Sequence, residues 1–351
     1  MTEQGRVPRA LVVLLCAASA VVTLAGMREV GSIIGPVLLA LVLVLAVAPV
    51  RTWLERRGAP GWTLVAVPLT LVLLLLLGIV AILTYSVAQM TTLASTYNQQ
   101  FEQFLTQVQQ FAARLGIGPQ QMSQAIKTLD PGKIFGLLGG FASGLLGVFS
   151  SLVLIVVLVL AMCLDARAIS LILSSGTAQK RPALIRALSG FAHNTRRYLV
   201  VSTVFGLVCS VLDIIALSVL DVPLPVLWGV LALFTNYIPN IGFVIGLIPP
   251  ALLGLLQGGP KTMVLVIASY MAINFVIQSL IQPKFLGDAV GLSTTVTMLS
   301  LLLWAFVLGP LGALLAIPLS LLARALLVDS DPDAEWAAAL ISGEVPDAGR
   351  P

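Results

Sequence analysis

The chain has 351 residues, of which 58% are hydrophobic and only 10% are charged. Charged residues make up about a quarter of an average soluble domain, so this composition excludes that class and indicates a polytopic membrane protein. The formal net charge of +4 is small for the length and gives no indication of nucleic-acid binding.

Six apolar intervals have roughly the 20 residues that a helix needs to cross the hydrocarbon core of a bilayer. In chain order they are residues 10–27, 30–50, 61–85, 134–164, 199–220 and 262–281. The first interval could instead be a cleaved signal sequence, because it follows basic residues and contains Ala18-Ser19-Ala20, which resembles a cleavage site. The apolar run continues past that site, which favours a retained span.

The polar segment between the third and fourth spans, residues 86–133, predicts an extramembrane amphipathic helical hairpin. Apolar residues recur at helical spacing between Leu93 and Leu115, with glutamines between them. Residues 116–119 end this helix, and residues 130–132 end a shorter one. We favour a hairpin that packs on its neighbours or on other subunits over a cap that captures substrate.

Residues 165–198 form a basic linker between the fourth and fifth predicted spans. Within it, residues 183–198 have helical spacing, with Arg186, Arg196 and Arg197 opposite the apolar face. This pattern predicts an interfacial helix that lies against anionic headgroups. Because Lys and Arg concentrate in cytoplasmic loops, the basic residues here and before the first span place both termini in the cytoplasm.

Two further apolar stretches, residues 222–260 and 289–323, are too long for one helix and contain several helix breakers. Each can be a re-entrant hairpin or one long broken crossing helix. Irregular backbone at membrane depth must be satisfied by protein or water, so such breaks mark a cavity or a path. We favour hairpins that enter from opposite faces, a layout that places a site near the midplane.

Polar residues inside the apolar spans are candidate site residues. Asp213 is a carboxylate well inside a span, and it can serve as an ion or proton site or as a structural hydrogen-bonded group. Asn274, Gln278 and Gln282 are spaced four residues apart, which places three amides on one helix face. Such a stripe can line a pathway or join helices, and its position next to Pro283 favours the pathway.

The chain contains no H-E-x-x-H, G-x-S-x-G or Walker motif, and no cluster of His, Cys and carboxylates that could hold a metal. It is therefore predicted not to be an enzyme and to need no cofactor. The predicted fold is an all-α polytopic bundle with two broken or re-entrant hairpins. The predicted divisions are N-terminal spans at 1–85, the extramembrane hairpin at 86–133, the fourth span at 134–164, the linker at 165–198, a transport core at 199–327 and a polar cytoplasmic tail at 328–351.

An ordered set of motifs in the second half of the chain resembles the AI-2E family of transporters. The resemblance is carried by Asn236-Tyr-Ile-Pro-Asn-Ile-Gly242, Ile248-Pro-Pro250, Gln282-Pro-Lys-Phe-Leu-Gly287, Gly291-Leu-Ser-Thr294, and Trp304 followed by Gly309-Pro-Leu-Gly312 and Ile317-Pro318. The first two motifs are similar to the branch that includes an autoinducer-2 exporter. Other members resemble sodium/proton antiporters.

Two residues depart from the family pattern. A small residue or proline commonly follows the Ile-Gly pair, whereas Phe243 stands here and would narrow a passage. Many members carry glutamate where this chain has Gln282. A neutral amide does not exchange protons near physiological pH, which weakens the antiport hypothesis and leaves Asp213 as the intramembrane ion candidate.

The resemblance implies a permease of the bacterial inner (plasma) membrane that exports a small polar solute such as an autoinducer-2-like signal. The alternatives are antiport of a monovalent cation against protons and a membrane scaffold without transport. The implied partners are the lipid bilayer, the solute or cation, and further copies of the chain in a homo-oligomer, a homopentamer in the family pattern. The predicted path consists of Asn236, Pro239, Asn240, Gly242, Phe243, Asn274, Gln278, Gln282, Pro283 and Gly287, with Asp213 as the ion or proton candidate.

Overall fold

The computed structural model describes residues 9–82, 84–85, 152–175, 181–239, 241–286, 291–331 and 334–343. The predicted extramembrane hairpin (residues 86–133) and residues 134–151 of the fourth predicted span lie outside this described part. The first five described helices are α1 (Arg9–Glu29), α2 (Gly31–Arg56), α3 (Thr63–Ile82), α4 (Leu152–Ser174) and α5 (Pro182–Val219).

The C-terminal half contains the shorter and interrupted helices. They are α6 (Pro225–Thr235), α7 (Gly242–Asn274), a π-helical segment (Phe275–Ile281), α8 (Gln282–Leu286), α9 (Thr294–Leu314), α10 (Ala316–Leu327) and α11 (Glu335–Ser342). Among the described residues, every regular element is helical, and six helices are long and apolar enough to cross a membrane. The prediction of an all-α polytopic membrane protein is therefore confirmed.

Helix α5 joins two elements that the sequence suggested were separate. It runs without interruption for 38 residues, through both the basic segment at 183–198 and the apolar segment that follows. Its only proline is Pro182, in the first turn, where a proline does not remove a helical hydrogen bond. With no breaker at the polar-to-apolar change, the helix simply continues from one environment into the other.

Helix α7 reverses its direction at Gly259. This glycine has φ 72° and ψ −167°, a conformation that essentially only glycine adopts, and Pro260 follows it. A Cβ on Gly254 would lie 3.2 Å from the side chain of Val266, although 12 residues of straight helix span about 18 Å. The segments 242–258 and 260–281 are therefore antiparallel arms.

The first interrupted stretch is a hairpin, which we call hairpin 1 (residues 225–258). Its arms are α6 and the first arm of α7, joined by a tip at residues 236–241. A Cβ on Gly246 would lie 2.9 Å from Oγ1 of Thr235 and 3.7 Å from Cα of Ala232, so the arms run side by side and antiparallel. Glycine allows this close approach.

The second interrupted stretch is also a hairpin, called hairpin 2 (residues 294–327). Its tip begins at Gly309, which has φ 65° and ψ −146° and precedes Pro310. The indole Nε1 of Trp304 donates to Oγ of Ser320 at 3.0 Å, although 16 residues of straight helix span about 24 Å. This contact joins the outgoing arm to the returning arm.

The two hairpins open toward opposite ends of the bundle. The base of hairpin 1 follows the C-terminal end of α5, and its tip reaches back along α5 to Tyr198 and Ser202. The base of hairpin 2 lies at the N-terminal end of α5, where Arg324 lines a cavity with Arg186. The hairpin arrangement favoured from the sequence thus agrees with the described contacts.

Candidate functional site

The tip of hairpin 1 is held by hydroxyl groups of α5. Breaking a helix here frees backbone carbonyls, which need a partner at membrane depth. The hydroxyl of Tyr198 donates to the carbonyl oxygen of Tyr237 at 2.8 Å. The hydroxyls of Tyr237 and Thr203 lie 2.6 Å apart and share a further hydrogen bond. The protein itself therefore satisfies part of the interrupted backbone.

Three amide side chains form a continuous hydrogen-bonded chain beside this tip. Gln278 Nε2 donates to Oδ1 of Asn236 at 2.8 Å and to Oδ1 of Asn274 at 2.7 Å. Asn236 Nδ2 donates in turn to the carbonyl oxygen of Ser202 at 2.9 Å, and Asn274 Nδ2 donates to that of Tyr270 at 2.8 Å. The amides thereby link α5, the hairpin tip and the second arm of α7.

The amide chain coincides with a local change of helix type. Gln278 lies in the π-helical segment, and the backbone N–H of Gln282 donates to the carbonyl oxygen of Ile277, five residues earlier. Single π-helical turns are rare and occur frequently at functional sites. The amide pair at Asn274 and Gln278 faces one way, as its spacing predicted.

Asp213 lies next to these three amides and lines a small cavity. The cavity offers about 10 Å³ to the centre of a water molecule, room for about one water. Asp213 is 1% exposed, and neither of its carboxyl oxygens has a hydrogen-bond partner among the described residues. The other lining residues are Cys209, Ala232, Thr235, Phe243, Gly246, Tyr270, Asn274 and Gln278. Three predicted site residues, Phe243, Asn274 and Gln278, thus share a cavity with Asp213.

Gly242 occupies a place where no side chain fits. A Cβ at this position would lie 1.8 Å from the carbonyl oxygen of Thr235, which is far inside van der Waals contact. Gly206 on α5 faces the same hairpin less tightly, since a Cβ there would lie 3.0 Å from Nδ2 of Asn236. In the described conformation Gly242 thus closes the hairpin by backbone contact. A place for it on the transport path stays a prediction.

The remaining predicted path residues are distributed around this centre. Pro239 is half-buried in the tip, where the N–H of Ile241 donates to its carbonyl oxygen at 2.7 Å. Gln282 is half-buried and begins α8, and Pro283 is its second residue. Asn240 and Gly287 lie outside the described residues.

The hydroxyl groups of the site were not predicted from the sequence. Tyr198 and Thr203 on α5 form hydrogen bonds with Tyr237 in the tip. Thr235 and Tyr270 line the cavity beside Asp213. A tyrosine inside an apolar stretch could have indicated these contacts, because the hydroxyl of a buried tyrosine usually needs a hydrogen-bond partner. Which groups meet is decided by how the helices pack, and residue spacing alone does not specify that.

Two cavities are far larger, and only the first of them contains a residue of the hairpin 1 tip. One, of about 420 Å³, has an almost wholly apolar lining from α2, α3, α5 and both hairpin tips, with Thr203 and Tyr237 at its wall. The other, also about 420 Å³, lies at the N-terminal end of α5 and carries Arg186, Arg324, Asp329 and Asp331. The polar cavity at Asp213, of about 10 Å³, is therefore far smaller than either of them.

Comparison with known proteins identifies the family. The AI-2E family transporter model matches residues 12–329. The chain is 31% identical to the Escherichia coli K12 protein YhhT over 313 residues, covering 88% of both chains. It is 30% identical to the AI-2 transport protein TqsA of the same strain over 312 residues, covering 87% of this chain and 88% of TqsA. A Haemophilus influenzae relative is 28% identical over 342 residues, 95% of this chain and 97% of that protein. The chain belongs to the AI-2E transporter family.

Proposed function

We propose that this transporter is a permease that exports a small, uncharged polar solute, such as an autoinducer-2-like signal, along hairpin 1. The observation that carries the proposal is the amide chain from Ser202 through Asn236 and Gln278 to Asn274. The match to a protein named for AI-2 transport supports the solute class.

The chemistry of the amides suits such a solute. Each amide offers two N–H donors and a carbonyl oxygen without a net charge. Hydroxyl and carbonyl groups of a neutral solute can replace these partners one for one, whereas a fixed positive or negative charge would hold an ion of opposite sign. An uncharged polar solute is therefore the class that this surface recognises.

The described conformation is a closed one. The three amides satisfy each other, and the adjacent polar cavity holds about one water molecule. A solute can pass only when hairpin 1 moves away from the second arm of α7 and exchanges the bond between Asn236 and Gln278 for bonds to the solute. Such exchange keeps every polar group paired, which lowers the barrier at membrane depth.

The test is solute flux in liposomes with a matched pair of variants. Gln278→Leu removes the central amide, and we expect flux to fall about 5- to 10-fold because one polar contact is worth about 1–1.5 kcal/mol. Ser279→Leu introduces the same side chain at the next position, which is exposed on the helix, and should leave flux within about twofold. Equal flux in wild type and Gln278→Leu would place the path elsewhere.

Antiport of a monovalent cation against protons is a second candidate because the buried carboxylate of Asp213 has no hydrogen-bond partner among the residues that the structure describes. The same liposomes should carry a fluorescent pH indicator. Solute flux without a cation requirement supports the permease, whereas a cation-driven pH change without solute supports antiport. In the second case, Asp213→Asn should abolish the pH change while the protein still inserts.

The third candidate is a scaffold that uses the amides only to join helices. Our proposal includes a homo-oligomer, a homopentamer in the family pattern, in the bacterial inner membrane with both termini in the cytoplasm. Native gels of Gln278→Leu distinguish the transporter hypothesis from the scaffold hypothesis. An intact oligomer with lost flux supports transport, and loss of assembly with no other defect supports the scaffold.

A further inference from the structure

We propose that the charged cavity at the N-terminal end of α5 binds the headgroup of a phospholipid that carries both a phosphate and a primary ammonium group, as phosphatidylethanolamine does. An acyl chain of the same lipid lies in an adjoining apolar cavity. Neither cavity shares a lining residue with the cavity at Asp213, and the inference holds whether or not the proposed solute permeates.

The first argument is the pattern of charge in the headgroup cavity, which has a volume of about 420 Å³. Its lining contains two cations, Arg186 and Arg324, and two carboxylates, Asp329 and Asp331. A simple anion would meet the carboxylates as well as the cations, whereas a zwitterion finds a partner for each of its charges. The sequence predicted anionic headgroups for Arg186, and the two carboxylates favour a zwitterionic headgroup at this cavity instead.

The second argument is the hydrogen-bonding capacity of these groups. Arg324 donates from Nε to Oδ1 of Asp329 at 3.1 Å and from Nη1 to the carbonyl oxygen of Gly291. Arg186 donates from Nε to the carbonyl oxygen of Pro182 at 3.4 Å. A guanidinium group has five N–H donors and a carboxylate has about four lone-pair sites, so these side chains can bind a phosphate and an ammonium in addition to their present partners.

The third argument is the apolar cavity, of about 200 Å³, next to the charged one. Arg324 and Val328 line both cavities, so no more than these two side chains separates the two spaces. The lining of the second cavity is mostly apolar, and it includes Leu303 and Leu327, which are exposed at the surface of the bundle. A charged space beside an apolar space that opens outward fits a lipid better than a soluble phosphorylated amine.

The fourth argument is the position of helix α11, which forms part of both walls. Ala338 lines the charged cavity, Ile341 lines the apolar one, and the N–H of Ser293 donates to the carbonyl oxygen of Ile341 at 2.8 Å. Trp336 and Leu340 lie four residues apart on one face of α11 and are 69% and 68% exposed. An exposed apolar face with a tryptophan is typical of a helix that lies in the membrane interface, so the two cavities lie at the level of the headgroups.

The test is thermal unfolding of the purified, delipidated full-length protein in detergent, with phosphatidylethanolamine, phosphatidylcholine or phosphatidylglycerol of identical acyl chains. We expect phosphatidylethanolamine to raise the unfolding temperature in a saturable way, because a ligand that binds only the folded state stabilises it. The choline headgroup has no N–H to donate and the glycerol headgroup has no positive charge, so each should need an about 10-fold higher concentration for the same shift. Soluble phosphoethanolamine, which lacks acyl chains, should give no shift over the same concentration range.

Arg186→Gln should raise the half-saturating concentration of phosphatidylethanolamine about 10-fold, the effect of one lost charged contact. Arg181→Gln is the matched control, since Arg181 is exposed and does not line the cavity, and it should leave that concentration within about twofold. Asp331→Asn should remove the preference for phosphatidylethanolamine over phosphatidylglycerol, a change of selectivity that a folding defect would not produce.

The unfolding temperature of each variant without lipid shows whether it is folded, and the lipid series on the wild-type protein needs no variant. Equal shifts with all three lipids, a preference for either of the other two, or an unchanged response in Arg186→Gln would overturn the proposal. A full shift with phosphoethanolamine alone would also overturn it and assign the cavity to a soluble phosphorylated amine.

Discussion

The tips of the two hairpins are closed by the same kind of glycine contact but differ in the number of polar side chains that they carry. In each, a glycine of the returning arm lies against a carbonyl oxygen of the outgoing arm, Gly242 against Thr235 and Gly312 against Trp304. Hairpin 1 adds an amide and a tyrosine that bond to neighbouring helices. In hairpin 2, the described side-chain bond from Trp304 to Ser320 stays within the hairpin itself.

The difference separates the requirements of folding from those of function. A hairpin buried in a bundle needs close approach of its arms, and glycine provides it in both cases. Bonds from the tip to other helices are an additional feature of hairpin 1. We therefore expect changes at the glycine contacts to act on stability in both hairpins, and changes at the polar contacts to act on flux only in hairpin 1.

The largest expected effect is all-or-none and concerns the opposite orientation of the hairpins. In a variant without the three native cysteines, single cysteines at Lys261 and Lys284 should react from outside and inside respectively with a membrane-impermeant thiol reagent. Lys261 follows the Gly259 reversal, and Lys284 follows the π-helical segment at the other end of that arm. Labelling of both from one side would contradict the opposed hairpins.

The next effect concerns the glycines that close the two hairpins. Gly242→Leu and Gly312→Leu should each lower the free energy of unfolding by about 3 kcal/mol or more, because an added Cβ would lie 1.8 Å or 1.9 Å from a carbonyl oxygen. Thermal unfolding in detergent measures this loss. Gly78→Leu is the control, since nothing described lies within 4 Å of its Cβ position. Similar losses of stability in all three variants would show that the glycine contacts at the tips are not specifically required.

The smallest effect distinguishes the hydroxyl contacts of the two hairpins. Thr203→Val removes the partner of Tyr237, and Ser320→Ala removes the partner of Trp304. Each should cost about 1 kcal/mol of stability, the typical net value of one hydrogen bond. Liposome flux should change only in Thr203→Val. An equal loss of flux in Ser320→Ala would place hairpin 2 on the path as well.

The sequence predicts the hairpins well because their signals are local. The motif from Asn236 to Gly242 and the Gly309-Pro310 pair mark the two tips, and Gly309 adopts the positive φ that favours glycine. The reversal at Gly259 was not predicted. The facing amides Asn274 and Gln278 also follow from spacing. The hydrogen bond from Tyr198 to the tip and the cavity around Asp213 cannot be predicted from spacing, because they depend on which helices pack together and in what register.

Gly242 is a second case in which the sequence alone does not specify the role of a residue. The motif around it correctly marks a break at membrane depth, and a residue without a side chain there suggests an open passage. In the structure the missing side chain makes room for the carbonyl oxygen of Thr235 instead. A glycine required for packing and a glycine required for passage have the same sequence signal, so contacts are needed to distinguish them.

Helix α5 is long and unbroken, so a movement at one end can be transmitted to residues far along it. At 1.5 Å per residue, its 38 residues extend about 57 Å, nearly twice the thickness of the hydrocarbon core. Arg186 near one end lines the cavity shared with Arg324, and Asp213 lies near the other end. If this helix tilts as a rigid body by about 10° about its C-terminal end, Ser202, which lies roughly 25 Å from that end and bonds to the tip of hairpin 1, moves by about 4 Å. A small displacement at the basic end is thus mechanically sufficient to change the spacing between α5 and the tip of hairpin 1.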